Sequence, residues 1–219
     1  MVTALDWIPS PSHPTSTSSS STLMGGTLAV GTHYAWCYLF GLQVHPRIVL
    51  IQEHLFQAGH KVTCVTVRPE INRILVSTND SRIRSFVYSS CKKGIKYLGH
   101  VSKTSHIGAT FSPDARYIIC GSENRKVYIW PVESNYVPAV NPRLNIFSRS
   151  DHNRSTESFE VNGNVTAAVF GPKTLGQAIP GDFYVESGDD NRFIVVATED
   201  GDVFVFENLP VERPFTTPV

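Results

Sequence analysis

Thr78, Asp80 and Arg82 fall within five residues of one another, and His60 stands upstream of them. A hydroxyl, a carboxylate and an imidazole are the parts of a nucleophilic triad, in which the base takes the hydroxyl proton and the acid orients the base. The same residue types return as His100, Ser122 and Asn124, and in part as Thr198 and Asp200. One enzyme does not need its triad several times, so the recurrence assigns the set to scaffold rather than catalysis. The chain has no G-x-S-x-G elbow, phosphate loop or dinucleotide fingerprint. Its eight histidines form neither H-x-x-x-H nor HExxH, which leaves no legible zinc site. Paired carboxylates such as Asp189-Asp190 and Glu199-Asp200 sit in polar, turn-like runs. No enzyme, metal or cofactor is expected.

The elements that position these residues are repeats. "TNDSRIRSF" (Thr78 to Phe86), "SENRKVYIW" (Ser122 to Trp130) and "TEDGDVFVF" (Thr198 to Phe206) share one pattern, and "THYAWCYLF" (Thr32 to Phe40) is a weaker copy. Each opens on a hydroxyl residue and closes eight places on with an aromatic. Asp80, Asn124 and Asp200 occupy the third place; Tyr34 replaces them in the first copy. An apolar run precedes each copy, and a strand-like segment ending at Pro9, Pro69, Pro113 or Pro172 precedes that. The unit is therefore strand, turn with Pro, strand, polar turn, strand. Helical spacing is nearly absent; "QEHLFQAG" (Gln52 to Gly59) is the one segment that could make a short helix.

The hydroxyl positions lie 46, 44 and 76 residues apart. Four-stranded propeller blades recur at about 40 to 45 residues. The long third interval holds two polar insertions rather than a hidden copy. Gly59-His60 and Gly99-His100 each precede a first strand. A His in that link can reach the hydroxyl and the turn acid of its own blade, and the hydroxyl can reach an indole on the third strand. Such a buried chain must be satisfied throughout, since an orphan costs about 1–3 kcal/mol. His100, Ser122, Asn124 and Trp130 form the fullest set. His60, Thr78 and Asp80 form another, closed by Phe86, which cannot donate; Thr198, Asp200 and Phe206 hold the matching places in the last copy. The place just before the turn acid is the one the repeat does not fix. It is occupied by His33, Asn79, Glu123 and Glu199, and these, with Arg82 and Arg125 past the turn, are the candidate protein contacts.

Composition sets the class. The chain has 219 residues, is 41% hydrophobic and 17% charged, and carries no net charge. That is an ordinary globular composition without the basic footprint that nucleic acid or an anionic membrane requires. No segment is apolar for long enough to span a bilayer. The first residues lack the basic start and apolar run of a signal peptide, so an intracellular protein is expected. The four cysteines are scattered, and Cys64 and Cys120 are expected as core thiols. The run Pro9 to Thr22 is a Ser/Thr-rich loop between first and second strands.

These repeats resemble the WD40-repeat family. "LVSTNDSRIR" and "GSENRKVYIW" resemble one subgroup in particular, the Rab-GTPase-binding WD-repeat scaffold of recycling endosomes and its fungal and plant relatives. The resemblance implies an all-β propeller of about four blades, near residues 1–55, 60–98, 100–148 and 160–219, with insertions at 9–26, 141–163 and 172–191. That subgroup's propeller has seven blades, so the chain is expected to be one partial domain of a larger ring, completed by missing blades or by a second chain. An open ring leaves sheet edges bare and is expected to associate. The implied function is a non-enzymatic scaffold for other proteins in vesicle traffic, a small GTPase complex among them. It would be cytoplasmic and peripheral to endosomal or Golgi membranes. Service in a ubiquitin-ligase or chromatin complex is the alternative, since the fold serves there too.

Overall fold

The computed structural model describes residues 1–9, 26–42, 48–55, 59–87, 92–132, 152–153, 157–171, 191 and 193–207. Alternating apolar and polar residues, rich in Val, Ile and aromatics, form four antiparallel sheets. The first is a meander of β1 (Val2–Ile8), β2 (Thr27–Thr32), β3 (Trp36–Leu42) and β4 (Ile48–Leu55). The second repeats it with β5 (Val62–Arg68), β6 (Arg73–Thr78), β7 (Arg82–Val87) and β8 (Lys92–Tyr97). The third begins with β9 (Ala109–Phe111), β10 (Tyr117–Cys120) and β11 (Lys126–Pro131). A two-residue strand, β12 (His152–Asn153), then runs parallel to β8 at the edge of the second sheet. The chain returns as β13 (Glu157–Glu160), the fourth strand of the third sheet. The last sheet has β14 (Val165–Phe170), β15 (Phe193–Thr198) and β16 (Val203–Glu207) among the described residues.

Two expectations are corrected here. Gln52 to Leu55 continue β4 rather than opening a helix. Their backbone is in antiparallel register with β3, and tertiary pairing overrides a local pattern this short. The insertion assigned to 141–163 likewise ends sooner than expected. Residues 157–160 complete the third sheet, because Val127 and Tyr128 pair with Phe159 and Ser158. The Ser/Thr-rich run from Ser10 onward and most of 172–191 lie outside the described residues.

The turns at Pro69 and Pro113 form as the sequence implies; those at Pro9 and Pro172 run outside the described residues. Pro69–Ile71 is a single 3-10 turn closed by Asn72 in the left-handed region (φ 56). At Pro113 the Ser112 hydroxyl donates to Asp114 Oδ1, 2.5 Å, and accepts from the Tyr117 amide, 2.9 Å.

The sheets stack face to face around three apolar layers. Ala29 and Leu39 of the first sheet meet Ile74 and Phe86 of the second. Leu75 and Ile83 of the second meet Phe111, Ile118 and Trp130 of the third. Ile119 and Val127 of the third meet Ile194, Phe170 and Phe206 of the fourth. The period of two along each strand makes this work, since it sends alternate residues to opposite neighbours. The place before each repeat hydroxyl is small: Gly31, Ser77, Gly121 and Ala197. In the first three sheets the next sheet's first strand comes in against it. A Cβ on Gly121 would lie 2.6 Å from the Val165 carbonyl oxygen.

Candidate functional site

The turns between second and third strands make one rim. Each turn places its fourth residue in the left-handed region: Ala35 (φ 65), Ser81 (φ 60), Arg125 (φ 63) and Gly201 (φ 90). The residue before the turn acid is tied down by the same bond in all four sheets. Its amide donates to a carbonyl in the link that enters the sheet: His33 to Met1, 3.0 Å; Asn79 to Lys61, 3.1 Å; Glu123 to Val101, 2.9 Å; Glu199 to Asn164, 3.0 Å. In three sheets the side chain makes a second clasp. Asn79 Oδ1 accepts from the Lys61 amide, 2.7 Å, and Glu199 Oε1 accepts from Asn164 Nδ2, 2.8 Å.

Glu123 goes furthest. Its Oε1 accepts from the amides of Lys103, Thr104 and Ser105 at 2.8–2.9 Å and from the Thr104 hydroxyl at 3.0 Å. Desolvation works to raise its pKa, but these donors overcome it and hold the carboxyl down at about 2. Among the six candidate contacts, His33, Arg125 and Glu199 are exposed, whereas Asn79, Glu123 and Arg82 are partly enclosed.

The second sheet carries the densest polar cluster. The Thr78 hydroxyl donates to Asp80 Oδ1. Arg82 and Arg84 each place a guanidinium nitrogen 2.7 Å from Asp80 Oδ2. Burial pushes the Asp80 pKa up, yet Arg84 first, then Thr78 and Arg82, bring it down to about 2. Arg84 was not among the sequence candidates, though it shares a face of β7 with Arg82 and Phe86 at every second residue. In the third sheet the same four-residue spacing joins Asn124 Nδ2 to the Tyr128 hydroxyl, 2.9 Å. The second and third sheets thus share a polar turn residue bonded to a partner four places on, with changing chemistry.

The His–hydroxyl–acid–indole chain does not form as the sequence suggested. Trp130 is fully buried and its Nε1 donates to the Leu98 carbonyl, 3.1 Å, not to Ser122. Ser122 Oγ instead serves Val101, accepting from its amide at 2.8 Å and donating to its carbonyl at 3.2 Å. His100 stands edge-on to Trp130, centroids 5.8 Å apart, with its Nδ1 buried and without a hydrogen-bond partner. Desolvation drives its pKa down to about 4, against the pull of Asp80 in the preceding sheet. His60 is half-buried, Asp200 is exposed, and the buried Thr198 hydroxyl has no hydrogen-bond partner. Phe86 and Phe206 pack in the inter-sheet layers. The Ser122 hydroxyl is thus engaged with the Val101 backbone, and the His100 ring faces the Trp130 indole.

Residues 91–131 match the family model for the WD domain, G-beta repeat. The third repeat is a WD40 repeat. The match starts with the fourth strand of the second sheet and supplies the first three of the third, so repeat and sheet are staggered by one strand. The stagger ties this WD40 repeat to the preceding sheet and places His100 at the joint. WD repeat-containing protein 44 of Xenopus laevis is 34% identical over 155 residues, covering 68% of this chain and 16% of the relative. The chain therefore spans about a sixth of the length of the curated relative it matches. Both findings support the WD40-repeat family. The four stacked sheets are blades of an incomplete WD40-type β-propeller.

Proposed function

We propose that this chain is a non-enzymatic protein-interaction scaffold in Rab-linked vesicle and endosomal traffic, cytoplasmic and peripheral to endosomal or Golgi membranes. The braced rim is the observation that supports a docking role. Every turn is clasped to its entry link, so the side chains that project from it are held without further loss of backbone freedom. His33 with Tyr34 on the first blade, and Lys103, Thr104 and Arg125 on the third, are exposed on that rim. They offer a mixed-charge, partly aromatic surface of the kind proteins recognise. The Rab connection rests on "LVSTNDSRIR" and "GSENRKVYIW", which resemble the Rab-binding endosomal subgroup.

The test is a pull-down of the natural full-length protein with purified endosomal Rab GTPases, each locked in the GTP or GDP state. Preferential recovery with the GTP form, lost on Arg125→Glu together with Tyr34→Ala, is the expected result. Equal recovery in both states, or none, overturns the traffic reading. Binding to a purified ubiquitin-ligase or chromatin component instead would put the scaffold in that setting.

A further inference from the structure

Tyr97 and Phe159 hold one place in successive sheets. Tyr97 pairs with Ile83 and Phe159 with Val127, and Ile83 and Val127 are each the sixth residue of their repeat. Each ring meets the closing aromatic of the next sheet, with centroids 6.1 Å apart for Tyr97 and Trp130 and 4.9 Å apart for Phe159 and Phe206. Around Tyr97 the space is filled. Its hydroxyl donates to the Val132 carbonyl, 2.9 Å, and Ile71 of the proline turn and Ile95 of β8 pack against the same cluster. The space around Phe159 is open. Phenylalanine has no hydroxyl to draw the chain in, Glu157 stands two residues before it where β8 has Ile95, and the proline turn presents Asp114. A cleft of about 900 Å³ lies there between the third and fourth sheets. That is the size of clefts that bury ligands.

The cleft is aromatic inside and acidic at its border. Tyr117, Phe159, Phe170 and Phe206 supply the rings. Four carboxylates, Asp114, Glu157, Glu160 and Glu207, line it against one guanidinium, Arg116. Asp114 has Arg116 at 3.7 Å, and Glu160 has Lys126 at 3.3 Å. The lining as a whole is negative. An arginine suits both parts of it, because a planar guanidinium stacks on a ring and forks onto a carboxylate. The lining crosses β10, β11 and β13, about 10 Å at the usual strand spacing, which is the span of about three extended residues. The chain's own neighbouring segments do not supply the positive charge. Residues 172–190 carry four carboxylates against one lysine, and acids and bases balance within 133–151 and within 208–219.

We infer that this cleft docks a short, extended, arginine-bearing segment of a partner protein, with apolar side chains against the rings and guanidinium groups at Glu157 and Glu207. It lies at the proline-turn end of the strands, opposite the braced rim, and so gives the scaffold a second, separate surface.

Selection of a random hexapeptide phage library on the natural full-length protein tests this. Peptides with arginine beside an aromatic or aliphatic residue should be enriched. Made synthetically, they should bind more weakly as salt rises. Glu157→Lys together with Glu207→Lys should weaken them at least tenfold, and Tyr117→Ala should weaken them severalfold. Both glutamates are exposed, so the double variant should melt as wild type does, and either single substitution serves should it not. Glu70→Lys, on the second sheet's proline turn, should change nothing. Enrichment of peptides without arginine, or peptides that bind the double variant as tightly as wild type, overturns the inference. No enrichment overturns it too, and assigns the cleft to the protein's own remaining length. The Rab pull-down reads the rim and this selection reads the opposite end, so each reading fails alone.

Discussion

Asp80 shows why a constellation that looks catalytic is a fastener. Its carboxylate takes Arg84, Arg82 and the Thr78 hydroxyl together, and its side chain is only 4% exposed. Asp80→Asn leaves the buried Arg84 guanidinium without its counter-charge, and should cost about 3 kcal/mol in urea unfolding. Adding Arg84→Met should recover most of that loss, since an apolar pair of similar volume removes the stranded charge. Because the folded pKa of Asp80 is depressed, its contribution is whole above about pH 4 and fades as the pH falls toward about 2. His100 acts in a higher window. Its folded pKa is about 4, below the ordinary value of 6.5, so the unfolded chain binds the proton first and stability drops as pH falls from 6.5 to 4. The full effect is about 3 kcal/mol. His100→Phe keeps a ring edge-on to Trp130 and removes the titration, so its melting temperature should be flatter than wild type over that interval. A parallel fall in both proteins would assign the effect to other groups. The sequence showed His100, Ser122 and Trp130 as the fullest set, with the His further upstream than usual, but spacing could not show that the indole proton goes to Leu98. Arg84 was hidden because its place in the other copies is Tyr38, Tyr128 and Phe204.

Blades and turns were more legible than side-chain bonds, because they rest on period and punctuation. The hydroxyl, polar and aromatic places mark each second-to-third-strand turn, and Pro marks each first-to-second turn. What spacing could not reveal was the clasp from Asn79, Glu123 and Glu199 to the entry links, which joins residues 18 to 35 places apart. It also could not place β13, since twenty-five residues separate Pro131 from Glu157. Two glycines separate the forces acting on an element. Gly201 has φ 90 with open space around it, so Gly201→Ala should cost about 1 kcal/mol through the backbone alone. Gly121 has no left-handed φ, but a Cβ there runs into the Val165 carbonyl of the next blade. Gly121→Ala should cost about 1–3 kcal/mol by prising the third and fourth blades apart. Hydrogen exchange distinguishes the two: Gly121→Ala should raise exchange throughout β14 and β15, and Gly201→Ala only around its own turn.

At the scale of the whole molecule, stability follows from how many faces each blade covers. The inner two blades are covered on both sides: Leu75, Ile83, Ile118, Ile119 and Val127 are essentially inaccessible. Among the described residues the outer two are covered on one side only, with Leu5 and Trp7 open at one end and Val203 and Val205 at the other. In a stack where each unit touches only its neighbours, stability is close to a sum of unit and interface contributions, and the ends open first. Native-state hydrogen exchange reads this gradient strand by strand. Amides of β6, β7, β10 and β11 should be the slowest, exchanging only with global unfolding. Those of β1, β2, β15 and β16 should exchange through partial openings that cost several kcal/mol less, about a hundredfold faster or more. Uniform protection across all four blades would mean that the stack unfolds as one cooperative unit, and that coupling through the rim outweighs the missing faces.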